Sequence, residues 1–268
     1  MTLVIAHRGA SADAPEQSRA AYELALEQGA DGVECDVRVT ADGEVVCFHD
    51  ATLDRTLGVP GSVVDLTLEQ LRALDPGLVT LGELLQLLRD ARRPLVLAVE
   101  LKHPNPVGTA LEAAVVGVLD AAGWDRARAR VDDVTVSLMS FNPLSVAALG
   151  IDPRLVMILT GVITIDDVAA ELPPGAAGEA AAAELERALA AGLQLLDGAV
   201  VGGAGPELEF CRQQPDRVRS WIAAGLTVRV WTADDPADVD FLVELGVPEI
   251  TTNRPAAVLE QLGRAHAQ

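Results

Sequence analysis

Short apolar runs alternate along the chain with longer stretches in which apolar residues recur at helical spacing. The short runs, at 3–6, 31–37, 45–49, 95–101, 133–139, 154–159, 194–201, 226–231 and 247–251, are predicted strands. The longer stretches are predicted helices. The first covers 18–28, where Ser18 offers the hydroxyl an N-cap needs and Gly29 stands at the stop. The others lie near 67–74, 80–91, 107–122, 143–149, 179–191, 206–224, 236–245 and 255–264. Alternation of the two types predicts a parallel sheet covered by helices.

Nine strands are one more than a closed (β/α)8 barrel holds. Only Thr40-Ala41-Asp42-Gly43-Glu44 separates the second run from the third. A parallel crossover needs about a dozen residues, whereas Asp42-Gly43 suits a tight turn. The strand at about 45–49 is therefore expected to return antiparallel after the second stave. That leaves eight staves, an α/β fold of the TIM-barrel type in one domain over 1–268. The hairpin would carry His49 back towards Glu34 and Asp36. Residues 53–76, with Gly58, Pro60 and Gly61, read as an extended connection around one short helix. Residues 173–183, rich in Pro, Gly and Ala, read as a surface loop leading into a helix.

Length and composition agree with this outline. The chain has 268 residues, 50% of them hydrophobic, and such barrels run to about 250 residues. Its formal net charge is −20, from 40 acidic and 20 basic residues, which disfavours polyanionic partners. With 3% aromatic residues and no basic patch, nucleic-acid binding is not expected. No apolar run nears the ~20 residues of a membrane span. No basic stretch precedes His7, so the expected compartment is the cytoplasm, without a signal peptide or a stable membrane anchor. Cys35, Cys47 and Cys211 are too few for a disulfide framework. Cys35 and Cys47 are placed to face each other across the hairpin, as reduced, buried thiols.

The polar residues that interrupt this pattern cluster at strand ends. His7-Arg8-Gly9 follows the first run, Glu34-Cys35-Asp36 falls in the second, His49-Asp50 ends the third and Glu100-Leu101-Lys102 ends the fourth. In α/β barrels the C-terminal ends of the staves carry the active site. Glu34 and Asp36, two apart, share one face of a strand. They either meet solvent there or offer oxygen ligands to a hard cation. Glu100 needs a partner if buried. Lys102, the lone lysine of the chain, would either neutralise Glu100 or reach a phosphate. His7 and His49 suit proton transfer near neutral pH. Arg8 offers a fork of donors to a phosphate, and Gly9 would let the backbone approach a ligand closely. His103, beside Pro104-Asn105-Pro106, and His266 in the C-terminal tail are expected to be structural or solvated.

Taken in order, these clusters resemble the glycerophosphodiester phosphodiesterase family. The resemblance is carried by His7-Arg8-Gly9, by Pro15-Glu16-Gln17-Ser18, by Glu34-Cys35-Asp36-Val37-Arg38-Val39-Thr40-Ala41-Asp42-Gly43, and by His49-Asp50 followed by Leu53-Asp54-Arg55-Thr56. It continues through Glu100-Leu101-Lys102, Ser140-Phe141, Val230-Trp231-Thr232 and Thr251-Thr252-Asn253-Arg254-Pro255. The resemblance implies a (β/α)8 barrel with a divalent metal, Ca2+ or Mg2+, held by Glu34, Asp36 and Glu100. It implies His7 and His49 as the acid/base pair, and Arg8 and Lys102 on the phosphate. Glu16 would support Arg8, and Phe141 and Trp231 would line the substrate pocket. The implied reaction cleaves a small glycerophosphodiester to glycerol 3-phosphate and an alcohol. Two departures stand out. Gln17-Ser18 replace the usual Asn-Thr, and Asn253 stands where the family usually has Asp. They are expected to alter support of the site or substrate preference.

Other readings remain at this level. A lysophospholipase D-type activity, a catalytically silent phosphodiester-binding barrel and an unrelated metal-dependent barrel share the same outline. The sequence leaves the head group, the metal, the nucleophile and the oligomeric state open.

Overall fold

The computed structural model describes residues 1–103, 107–162 and 176–264, without the side chains of 176–181. His266 and residues 104–106 and 163–175 lie outside them. Ten strands form one sheet: β1 (Leu3–His7), β2 (Gly32–Val39), β3 (Val45–Cys47), β4 (Leu95–Leu101), β5 (Arg130–Val131), β6 (Val134–Ser140), β7 (Val156–Thr160), β8 (Gly203–Pro206), β9 (Thr227–Val230) and β10 (Glu249–Thr252). Eight are parallel and close in the order β1-β2-β4-β6-β7-β8-β9-β10, with β10 pairing back onto β1. This is the expected barrel.

The expected hairpin also forms. β3 runs antiparallel to β2, with Val37 opposite Cys47 and Val39 opposite Val45. Gly43 takes the turn at φ +87°, and Thr40 Oγ1 donates to Asp42 Oδ1 at 2.5 Å. The Cys35 and Cys47 thiols are free and buried.

Two apolar layers hold the barrel. Outside the staves, residues such as Val33, Cys35 and Val37 of β2 pack against the helices. The helix Leu81–Asp90 buries Leu81, Leu84, Leu85 and Leu88, one stripe at helical spacing. Thr80 and Glu83 close its first turn as a reciprocal capping box. Each such leucine contributes about 1.5–3 kcal/mol by leaving water. Inside the barrel, Ile5, Ala98, Met139, Met157 and Leu159 fill the floor.

Several expectations need correction. Residues 194–201 are not a strand. The helix Ala176–Asp197 runs through Leu193, Leu195 and Leu196, so that apolar run is one end of a helix with Leu196 buried. The helix expected near 179–191 starts earlier, at Ala176, within the stretch 173–183 read as a loop leading into it; 173–175 lie outside the described residues. The stave is instead Gly203-Ala204-Gly205-Pro206, a sequence with little strand character of its own. Its neighbours explain it. A Cβ at Gly203 would lie 2.8 Å from Met157 Cε, and one at Gly205 would lie 2.4 Å from Leu159 Cδ2. Large side chains on β7 fill the space that β8 leaves.

The helix expected over 206–224 breaks at Pro215 into Leu208–Gln213 and Pro215–Ala223, because proline disfavours helical backbone in the residue before it. The connection 53–76 is more ordered than expected. It holds the short helix Asp54–Leu57, a 3-10 turn at Val63–Asp65 and the helix Leu68–Leu74. Val46, Phe48, Leu53, Val63, Leu71 and Leu78 make a small core beneath it.

Candidate active site

Strand register assembles the site. Across β1 and β2, His7 stands beside Glu34, and across β2 and β4, Asp36 stands beside Glu100. The hairpin returns His49 to the same end, where Phe48 N–H donates to Asp36 O and Arg38 Nε donates to His49 O at 2.9 Å each. A cavity of about 380 Å³ opens there. His7, Arg8, Glu34, His49, Glu100, Lys102, Phe141 and Trp231 line it, all of them named from the sequence. Asp36, buried beside Glu100, is not part of the lining.

Glu34, Asp36 and Glu100 each present a carboxylate oxygen within 4.8 Å of the others. Burial and the neighbouring Asp36 charge push the Glu34 carboxyl well above its ordinary range. Burial also raises Glu100, against the opposing charge of Lys102. Burial works against ionisation at Asp36, yet Lys102 and Arg8 outweigh it and hold this carboxyl far below its usual value. Among the described residues Asp36 Oδ1 accepts no hydrogen bond, and Lys102 Nζ lies 3.4 Å away. Three crowded, buried carboxylates with an oxygen to spare fit a hard divalent cation, whose charge would favour their ionised forms.

Arg8 and Lys102, named for a phosphate, are ion-paired within this cluster. Arg8 Nε lies 3.0 Å from Asp36 Oδ2, and Lys102 Nζ lies 2.9 Å from Glu100 Oε1. Both still line the cavity. Glu16 does not, but it bridges two cations: Arg8 Nη1 donates to its Oε2 at 3.4 Å, and Arg55 Nη2 to its Oε1 at 2.6 Å.

Each histidine is held through Nδ1. His7 Nδ1 lies 2.7 Å from Asn253 Oδ1, and His7 Nε2 lies 4.0 Å from Glu34 Oε2. Burial and the Arg8 charge lower His7 to about 4, so its ring is neutral at pH 7. His49 Nδ1 lies 2.6 Å from Asp50 Oδ1. Burial opposes ionisation of Asp50, but hydrogen bonds from His49 and Arg55 hold it far below its ordinary value. Arg55 Nε donates to Asp50 Oδ2 at 2.5 Å, which joins His49, Asp50, Arg55 and Glu16 in one chain of contacts.

The opposite wall comes from β6 to β9. Phe141 and Trp231 meet edge to face, with ring centres 5.7 Å apart and planes at 90°. Trp231 Nε1 donates to Gly205 O at 2.8 Å. Arg229 and Glu207 also line the cavity and were not named from sequence. Arg229 Nε donates to Glu249 Oε2 at 2.8 Å. The signal for Arg229 was available: it stands two residues before Trp231 in the run predicted as a strand over 226–231, a spacing that puts both on one face.

Some sequence-based roles change. Gly9 is not among the residues that line the cavity. It turns at φ +83°, and a Cβ there would lie 2.6 Å from the backbone carbon of Ala21, so it serves the packing of the helix Arg19–Glu27. Ser18 caps that helix as expected, accepting from Ala21 N–H. His103 stands outside the cavity lining; its Nε2 lies 3.2 Å from Glu112 Oε1. Gln17, expected from the sequence to bear on support of the site, bonds to Asp36; Tyr22, Ser11 and Asp234 had no role from sequence.

The glycerophosphoryl diester phosphodiesterase family model matches residues 7–257. The chain is 36% identical, over 98% of its own length and 94% of the relative's, to a probable glycerophosphodiester phosphodiesterase 1 of Mycobacterium tuberculosis. Among solved structures it resembles a phosphodiesterase of Oleispira antarctica in complex with the product sn-glycerol-3-phosphate. The identity there is 25% and the TM-score 0.74, over 98% of this chain and 97% of that one. A glycerophosphodiester phosphodiesterase of Thermotoga maritima shares the fold at 20% identity and TM-score 0.71, over 97% of this chain and 98% of that one. With the family's match running from His7, at the end of β1, past the last stave and taking in the cavity residues, the chain belongs to the glycerophosphoryl diester phosphodiesterase family.

Proposed function

We propose that this chain hydrolyses small glycerophosphodiesters to glycerol 3-phosphate and an alcohol, with a divalent metal at Glu34, Asp36 and Glu100. The observation that carries the reading is the pairing of two imidazoles, each tied through Nδ1, around a cavity that also holds three carboxylates and two cations. Ca2+ and Mg2+ both suit an all-oxygen donor set. The bound metal would supply positive charge to the phosphoryl oxygens.

The remaining tasks fall to side chains. Arg8 and Lys102 bind the phosphate oxygens and stabilise charge that builds during attack. His7, neutral at pH 7, takes the proton of the attacking hydroxyl at Nε2. His49, oriented by Asp50, gives a proton to the leaving alkoxide as the P–O bond to the alcohol breaks. Glu16 holds Arg8 in place, and Phe141 and Trp231 wall the substrate pocket. Among the described residues no helix is long and apolar enough to cross a membrane, which accords with a substrate taken from water.

The test is release of glycerol 3-phosphate from glycerophosphocholine and glycerophosphoethanolamine, with Ca2+, with Mg2+ and with EDTA, beside His49→Ala. Metal-dependent release that the variant abolishes is expected. Release that persists in EDTA would refute the metal assignment, and no release from either diester would refute the substrate class.

A further inference from the structure

Asp234 is not among the residues lining the cavity, yet three hydrogen bonds converge on its carboxylate. Oδ1 accepts from the Asn253 backbone N–H at 2.7 Å and from Thr252 Oγ1 at 2.8 Å. Oδ2 accepts from Asn253 Nδ2 at 2.6 Å. The first two bonds anchor the carboxylate, and the third fixes which way the Asn253 amide faces. With Nδ2 committed to Asp234, Oδ1 of Asn253 points at His7 Nδ1, 2.7 Å away, and accepts also from Ser11 Oγ at 2.7 Å. An amide oxygen only accepts, so the His7 proton sits on Nδ1. The lone pair is then on Nε2, the nitrogen nearest Glu34.

We propose that Asp234 is a positioning residue of this enzyme: by holding the Asn253 amide in one of its two orientations, it selects the His7 tautomer whose Nε2 accepts a proton. The inference rests on the proton-accepting role given to His7 above. An amide turned end for end occupies almost the same space. Turned over, Asn253 would offer Nδ2–H to His7 Nδ1, the ring proton would move to Nε2, and Nε2 would have no lone pair for the nucleophile's proton. A carboxylate at 253 would need no such control, because both of its oxygens accept. Asn253 creates the need for an external acceptor, and Asp234 is that acceptor.

The test compares the wild type with Asp234→Asn, Asn253→Asp and the double exchange. In Asp234→Asn the new amide keeps its oxygen towards the Asn253 N–H, so its NH2 meets Asn253 Nδ2 and turns that amide over. In Asn253→Asp two carboxylates face each other. In the double variant donor and acceptor match again, with the carboxylate now beside His7. Asp234→Asn is expected to lose about 100-fold in kcat with KM within about twofold, Asn253→Asp to lose less because either carboxylate oxygen still accepts from His7 Nδ1, and the double variant to recover to within about tenfold of wild type.

Ring 15N shifts of His7 in the metal-free proteins give the second readout. The wild type and the double variant should show the Nδ1-protonated pattern, and Asp234→Asn the Nε2-protonated one. An unchanged ring pattern in Asp234→Asn, or a double variant no better in kcat than the worse single one, would overturn the inference. If the wild type released no glycerol 3-phosphate, the proposed function would fall, and the ring pattern alone would decide whether Asp234 sets the tautomer.

Discussion

Gln17 and Asp36 are joined twice: Gln17 Nε2 donates to Asp36 Oδ2 at 2.7 Å, and the Asp36 backbone N–H donates to Gln17 Oε1 at 3.2 Å. Tyr22 Oη donates to the same Oε1 at 3.0 Å. One side chain thereby holds the carboxylate of Asp36, a proposed metal ligand, and satisfies two buried donors. Gln17→Leu would leave both donors without this acceptor and let Asp36 turn. Its affinity for Mg2+ and Ca2+, read by titration calorimetry, is expected to fall about 10- to 100-fold. A folded variant that binds both metals like the wild type would remove this role.

His49→Ala is expected to lower kcat by about 10²- to 10⁴-fold while metal affinity stays within about threefold, because the proposed metal ligands are Glu34, Asp36 and Glu100. Asp50→Asn should cost less, since an amide oxygen still accepts from Nδ1. Steady-state rates beside metal titrations of both variants check this. Loss of metal binding in His49→Ala would place His49 in the metal site instead.

Acid should destabilise the metal-free protein through His7. Its folded-state value is about 4 and its ordinary value 6.5. Between these two the unfolded chain binds more protons, so stability falls as pH drops from 6.5 towards 4 and is level above 6.5. Between pH 7 and pH 5 the His7 contribution is about 2 kcal/mol. Urea unfolding in EDTA should therefore show the wild type losing more stability over that interval than His7→Asn. Equal losses would mean that the ring titrates normally in the fold.

Gly9→Ala should act on stability first. Its φ of +83° and a Cβ only 2.6 Å from the Ala21 backbone leave no side chain to yield. A cost of about 3 kcal/mol is expected, from the left-handed backbone and from overpacking together. Thermal unfolding measures it; a melting temperature unchanged within a degree or so, against the several degrees such a cost implies, would contradict the packing role.

Much of the barrel and most of the cavity lining was legible because both follow short-range rules. Five residues between two apolar runs forced the β2–β3 hairpin, and a spacing of two put Glu34 and Asp36 on one face. β8 was not legible, since Gly203-Ala204-Gly205-Pro206 lacks side chains to form a pattern and is complemented by Met157 and Leu159 from β7. The apolar end of the helix Ala176–Asp197 imitated a strand for the same reason a buried helix often does: a short apolar run has no period of its own. Ser11 and Asp234 were invisible because nothing in a lone Ser or Asp tells which residue it will meet after closure. Asn253 drew notice only as a departure, and its contact with His7 explains what the departure touches.

That contact also sets when the molecule can begin to work. His7 stands in the first strand and Asn253 just past the last, 246 positions apart, and β1 meets β10 only when the barrel closes. A chain still emerging from the ribosome, or one whose final strand has frayed, would carry every proposed acid, base and metal ligand yet leave the His7 ring without its Asn253 partner. On the proposed mechanism, completion of the barrel and readiness for proton transfer are one event, and so long a loop makes that event a late one in folding.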